Sequence, residues 1–93
     1  MLDAKILNWM MQDSININEI YRELEYDLLR SIFFPKYKEV LSVLHSYYSR
    51  HKTPPSYDVL KALIDKEGGE PDLADFVKNK VCSKNEIGFY VDE

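Results

Sequence analysis

The sequence predicts an all-α fold, a small single-domain bundle of about six short helices. Apolar residues recur at i, i+3, i+4 and i+7 through most of the chain, and no alternating run is bounded by hairpin turns. Capping residues or prolines stand at the starts of the periodic segments. With 93 residues there is room for one domain of roughly 12 Å radius of gyration and not for a second.

The first helix is expected over Leu2 to Gln12, where Leu2, Ile6, Leu7, Trp9, Met10 and Met11 are apolar. At about 100° of turn per residue, Lys5, Asn8 and Gln12 leave only a narrow polar strip. Such a helix is either central to the bundle or shared with a partner. In Asn16-Ile17-Asn18-Glu19 a capping residue precedes a carboxylate by three positions, and Ile17, Ile20, Tyr21 and Leu24 continue at helical spacing. A short second helix follows from this. Glu25 to Phe34 reads as a turn or two of helix ending in an aromatic pair.

Pro35 suits the first turn of a helix, where its missing N–H costs nothing. From it Tyr37, Val40, Leu41, Leu44 and Tyr48 form a stripe reaching about Arg50, in the longest helix of the chain. Val43 and Tyr47 widen that stripe on one flank beyond the arc of about 100° that a single core uses. Thr53-Pro54-Pro55-Ser56 ends this helix, since each proline drives the residue before it out of the α region, and Ser56 caps the next. That helix carries Tyr57, Leu60, Leu63 and Ile64 and stops at Gly68-Gly69. Pro71 opens another with Leu73, Phe76, Val77 and Val81. Ser83-Lys84-Asn85-Glu86 is a capping box that starts the last, with Ile87, Tyr90 and Val91 on one face. No terminating signal follows by Glu93, so a longer parent protein is expected.

Composition narrows the chemistry. The lone cysteine, Cys82, excludes an intramolecular disulfide and cannot alone make a thiolate metal site, so a reducing, cytoplasmic setting is expected. Burial as a small hydrophobe is its expected state. No apolar run approaches the ~20 residues that span a bilayer, and no secretory signal opens the chain. His45 and His51 are six apart and face different sides of one helix, which does not suit a metal. No phosphate-cradling loop of the form GxxxxGK[ST] occurs, and acidic neighbours such as Asp72 and Asp75 read as solvated helix faces. No catalytic residue, cofactor or metal site is expected.

Net charge is −4, unevenly spread: Leu28 to Tyr57 carries +4 and the remainder −8. Arg30, Lys36, Lys38, Arg50 and Lys52 interleave there with aromatic residues, a combination that holds single strands in other proteins. Against that use, Tyr37 and Tyr48 are needed by the core and the cations fall on several faces.

Four segments carry a resemblance. Ala4-Lys5-Ile6-Leu7-Asn8-Trp9-Met10-Met11-Gln12-Asp13 is similar to an opening A-x-L-G-x-x-L-x-D pattern, with Asn8 or its neighbour in place of the glycine. Phe33-Phe34-Pro35 followed by Val40-Leu41-Val43-Leu44 is similar to an aromatic turn leading into an I-F-x-x-I helix. Lys52-Thr53-Pro54-Pro55-Ser56-Tyr57-Asp58-Val59-Leu60 looks like a P-x-D-x-x-T/A-L link. Ser83 to Val91 resembles an N-I-x-x-Y segment that enters a helical hairpin. In this order they resemble the N-terminal domain of DnaB-type replicative helicases, especially the divergent ones of large phages.

The resemblance, which spans nearly all of residues 1–93, implies a non-catalytic collar domain of a hexameric helicase ring, in host cytoplasm if phage-encoded. The ATP-dependent motor would lie elsewhere in the parent protein, primase or a helicase loader would be a partner, and DNA would be contacted only indirectly. Weak dimerisation of the chain alone is expected, with firm assembly in the longer protein. From the residues themselves, Trp9 and Met11 on the first helix and Val43 and Tyr47 on the widened flank are the candidates for self or partner contact. A small helical nucleic-acid-binding domain and a free-standing helical adaptor or inhibitor are the alternatives.

Overall fold

A computed structural model describes the backbone of residues 2–91 and the side chains of residues 2–87. Seven helices occur among the described residues: α1 (Leu2–Gln12), α2 (Ser14–Glu23), α3 (Tyr26–Ile32), α4 (Pro35–His51), α5 (Tyr57–Lys66), α6 (Asp72–Lys78) and α7 (Lys84–Val91). The radius of gyration is 11.9 Å, as one domain of this length requires.

α1 is the centre of the bundle and packs against α2, α4, α6 and α7. Four neighbours explain its nearly continuous apolar surface, and every residue from Ile6 to Met11 is buried. Asn8 belongs to the core and not to a solvent-facing strip. Its amide Nδ2 donates to the Val77 carbonyl at 3.0 Å, while its Oδ1 accepts from the Cys82 N–H at 3.1 Å and from Gln12 Nε2 at 2.8 Å. Gln12 Nε2 also donates to the Cys82 carbonyl at 2.8 Å. Thus α1 holds the α6–α7 connection by side-chain hydrogen bonds, where a glycine would have allowed close backbone approach.

Asp3, 5 % exposed, does comparable work at the other end of α1. Its Oδ2 accepts the Phe34 N–H at 2.8 Å, at the start of α4, where Phe34 offers no cap of its own. A carboxylate there satisfies an orphan donor and complements the helix dipole. Burial, and behind it the Asp3 charge, raises the Tyr37 phenol pKa above its ordinary value.

Several expectations need correction. The turn or two of helix expected between Glu25 and Phe34 forms as α3, and counting it gives seven helices. It buries Leu29 but exposes Leu28 and Ile32 by more than half, so its apolar residues point two ways and give no single stripe. α2 starts two residues before Asn16, capped by Asp13, whose side chain accepts from the Ile15 N–H at 2.9 Å. Asn16 instead donates to the Trp9 carbonyl at 3.0 Å and fixes the sharp α1–α2 corner. Tyr48 is only partly buried, because its hydroxyl reaches out to Asn18 on α2. α6 ends at Lys78, which leaves Val81 74 % exposed, and Phe76 lies at the surface with Lys80 Nζ 4.8 Å from its ring centre.

Other elements follow the sequence closely. Tyr37, Val40, Leu41 and Leu44 are buried along α4, the longest helix, and Ser56 Oγ accepts the Val59 N–H at the start of α5. Gly68, at φ +81, turns the chain after α5 in the left-handed region that L side chains avoid. The Ser83–Glu86 capping box forms in both directions, and Cys82 is buried. The side chains of Tyr90 and Val91, and the chain end at residues 92–93, lie outside the described residues.

Candidate partner-binding surface

The four residues singled out from the sequence separate into two pairs. Trp9 and Met11 are each 7 % exposed and belong to the core, so neither offers a surface to another molecule. Packing on four sides of α1 uses the arc that would have served as an interface. Trp9 Nε1 is buried without a hydrogen-bond partner.

Val43 and Tyr47, in contrast, are partly exposed and sit together on the floor of a groove of about 590 Å³. α4 forms the floor, α5 one wall and Arg30 of α3 the other. Residues four apart stand one above the other on a helix, so Val43 and Tyr47 make one apolar ridge. Val59 and Leu63 make a second on α5. The helices run antiparallel. The α4 residue Glu39 approaches Gly69, just past the end of α5, so closely that a Cβ there would lie 3.0 Å from Glu39 Oε2.

Charges rim this groove. Arg30, Lys66, Glu39 and Glu67 line it together with Arg50 and His51 at the far end of α4. Among the described residues only two ion pairs form, Lys5 with Glu86 at 3.3 Å and Lys61 with Asp75 at 2.7 Å. None of the groove's charged groups is neutralised by contact.

Behind the groove, α2, α3 and α4 enclose an aromatic cluster that the sequence reading did not find. The Tyr26 ring stacks on His45 at 3.8 Å with 11° between planes, and the Tyr21 hydroxyl shares a hydrogen bond of 2.7 Å with His45 Nδ1. Burial lowers the His45 pKa below its ordinary value of 6.5, with the Asp27 charge opposing, and burial raises the Tyr21 phenol well above its own. Both effects suit a protonated phenol beside a neutral imidazole. Tyr26 and Ser42 share a hydrogen bond of 2.9 Å, and Arg30 Nε donates to Ser42 Oγ at 3.0 Å. The cluster therefore orients the groove's Arg30 through Ser42. Only the aromatic residues flanking the Leu28–Tyr57 stretch could have hinted at it.

A second apolar surface lies on α3, where Leu28 and Ile32, one turn apart, and the following Phe34 are 56 %, 58 % and 58 % exposed. Surfaces of this kind mark contact sites when they are contiguous.

His45 and His51 lie in separate environments, the latter against Tyr47 with ring centres 4.3 Å apart. Among the described residues no three His, Cys, Asp or Glu side chains converge as a metal requires, and no helix is long and apolar enough to cross a membrane. In comparisons with protein-family models, curated proteins and solved structures, the chain has no match.

Proposed function

We propose that this chain is a non-catalytic assembly domain of a hexameric replicative DNA helicase of the DnaB type, mediating self-association and contact with a primase or loader. The observation that carries the reading is where the resembling segments fall. The opening pattern occupies α1, the aromatic turn Phe33-Phe34-Pro35 starts α4, the Lys52–Leu60 link caps α5 through Ser56, and the Ser83 segment opens α7. The first segment fills a helix and the other three stand at helix starts, which supports the reading.

The exposed face of α3 and the turn after it supports self-association, since Leu28 and Ile32 on the helix and Phe34 in the turn are large apolar side chains left uncovered. A domain of this size gains appreciable stability from covering such a face. The reading requires a motor domain elsewhere in the same polypeptide. The reading frame tests this directly: a phosphate-loop motor encoded downstream of residue 93 is expected, and a stop codon there would sink the proposal. In the full-length protein, sedimentation should show a ring whose stability falls in Ile32→Asp. A strictly monomeric full-length protein would rule out the collar role.

A further inference from the structure

We propose that the α4–α5 groove is the docking site for an acidic amphipathic helix of a partner protein. Its geometry fits a helix first. The apolar ridge Val43/Tyr47 lies along the α4 floor and the ridge Val59/Leu63 along the α5 wall, on antiparallel helices, and together they line an open trough. A third helix seats its own i, i+4 ridge in such a trough, in the manner by which helices pack generally. The floor from Glu39 to His51 is about 18 Å long, enough for about three helical turns.

The charges then select the occupant. At the Glu39 end of the trough, two cations (Arg30 and Lys66) accompany two carboxylates (Glu39 and Glu67) and balance. At the other end Arg50 stands without a carboxylate among the groove-lining residues. The carbonyl end of α4 lies there beside the amide end of α5, so the two helix dipoles offset each other and leave the Arg50 charge in place. A helix with a carboxylate near Arg50 is complementary to this pattern, and a basic helix is not. A nucleic-acid strand fits less well, because its phosphates would meet the Glu39 and Glu67 carboxylates along the same groove.

This inference rests on the proposed function only in supposing that a partner protein exists, and its test is separate. Two dye-labelled peptides of about 14 residues would share one leucine stripe at helical spacing and differ only in carrying glutamate or lysine at one end. Fluorescence anisotropy with the chain should show the acidic peptide binding about tenfold tighter than the basic one. Arg50→Glu, at an exposed position, should lower acidic-peptide affinity several-fold and raise that of the basic peptide. Val59→Asp, at a side chain already 40 % exposed, should weaken both peptides by about tenfold while circular dichroism stays unchanged. Equal affinity for the two peptides, or indifference to Val59→Asp, would overturn the proposal. Tighter binding of a single-stranded oligonucleotide than of the acidic peptide would assign the groove to nucleic acid and also overturn it. Dimerisation of the chain that is lost in Val59→Asp would give the groove to a second copy, with the same consequence. Failure of the peptide test leaves ring assembly through α3 standing, and a monomeric full-length protein leaves the peptide result standing.

Discussion

Replacing Asn8 by alanine tests the buried hydrogen-bond knot that joins α1 to the α6–α7 connection. The substitution strips the Cys82 N–H of its Asn8 acceptor, leaving a buried donor unsatisfied at a cost of about 1–3 kcal/mol. Val77 loses the 3.0 Å bond from Nδ2 but keeps the Lys80 N–H at 3.1 Å, so only about 1 kcal/mol is lost there. Gln12 keeps its bond to the Cys82 carbonyl. Alanine returns roughly 0.6 kcal/mol through its better helix propensity. The net cost is about 2–3 kcal/mol, against roughly 5–14 kcal/mol of total stability for a domain of this length. Thermal unfolding should fall by about 10–20 °C, and urea midpoints should drop with unchanged slope. Asn8→Asp sharpens the test. Its carboxylate can still accept from Cys82, but its other oxygen faces the Val77 and Lys78 carbonyls, so it should be worse than alanine at neutral pH and recover as the pH falls and the group protonates. Lys5→Ala, which removes only the partly exposed pair with Glu86, is the control and should cost under about 0.5 kcal/mol. A loss below that level for Asn8→Ala, or equal stability of the Asp and Ala variants at pH 7, would refute the knot.

Three further outcomes are expected. Trp9→Phe should cost about 1 kcal/mol, because the buried Nε1 it removes has no partner, whereas Trp9→Ala should cost about 3–5 kcal/mol through the cavity left in the core; equal losses by urea unfolding would mean that the indole N–H is bonded. Because burial lowers the His45 pKa in the folded chain, the unfolded chain takes up that proton first as the pH falls through 6.5. The contribution of neutral His45 is therefore full above 6.5 and declines below it, and a urea midpoint that is flat through this window, or equally sloped in His45→Gln, would contradict the clustered imidazole. Gly68→Ala should cost about 1 kcal/mol from backbone strain alone, since nothing lies within 4 Å of the added Cβ, and a neutral result would show that the turn relaxes out of its positive φ.

Sequence periodicity located those elements whose ends are chemically marked. α1 runs from Leu2 to Gln12 as its pattern indicates, and α4, α5 and α7 begin at Pro35, after Ser56 and after Ser83, where proline or a hydroxyl sets the start. Signals of this kind are local, and local chemistry decides them. What stayed illegible depends on neighbours. A helix's own apolar arc does not reveal how many helices surround it, so the surplus on α1 pointed equally to an interface and to the four-sided burial that took Trp9 and Met11. For the same reason the narrow polar strip of Lys5, Asn8 and Gln12 did not reveal that Asn8 is buried while Gln12 is exposed. The pairing of Tyr21 and Tyr26 with His45 links three helices, and no spacing within one of them encodes it.

The flank of α4 was legible because its argument was one of excess. Tyr37, Val40, Leu41 and Leu44 supply the buried stripe; Val43 packs against the edge of the core and, with Tyr47, also lines the open trough beside α5. α1 differs because its neighbours close over it, while α5 stands beside α4 on one side only and leaves the apolar edge half open. The buried stripe and the groove-lining residues thus lie on different arcs of one helix. Substitutions at Leu41 or Leu44 would empty the core, whereas those at Arg50 or Val59 alter the rim of the groove and leave the buried stripe in place. Ser42 lies between the two arcs, tied to Tyr26 on the cluster side and to Arg30 on the groove side. Through that hydroxyl the packing of α3 on α4 fixes the position of one of the groove's charges, which would reduce the ordering that the proposed docking must impose.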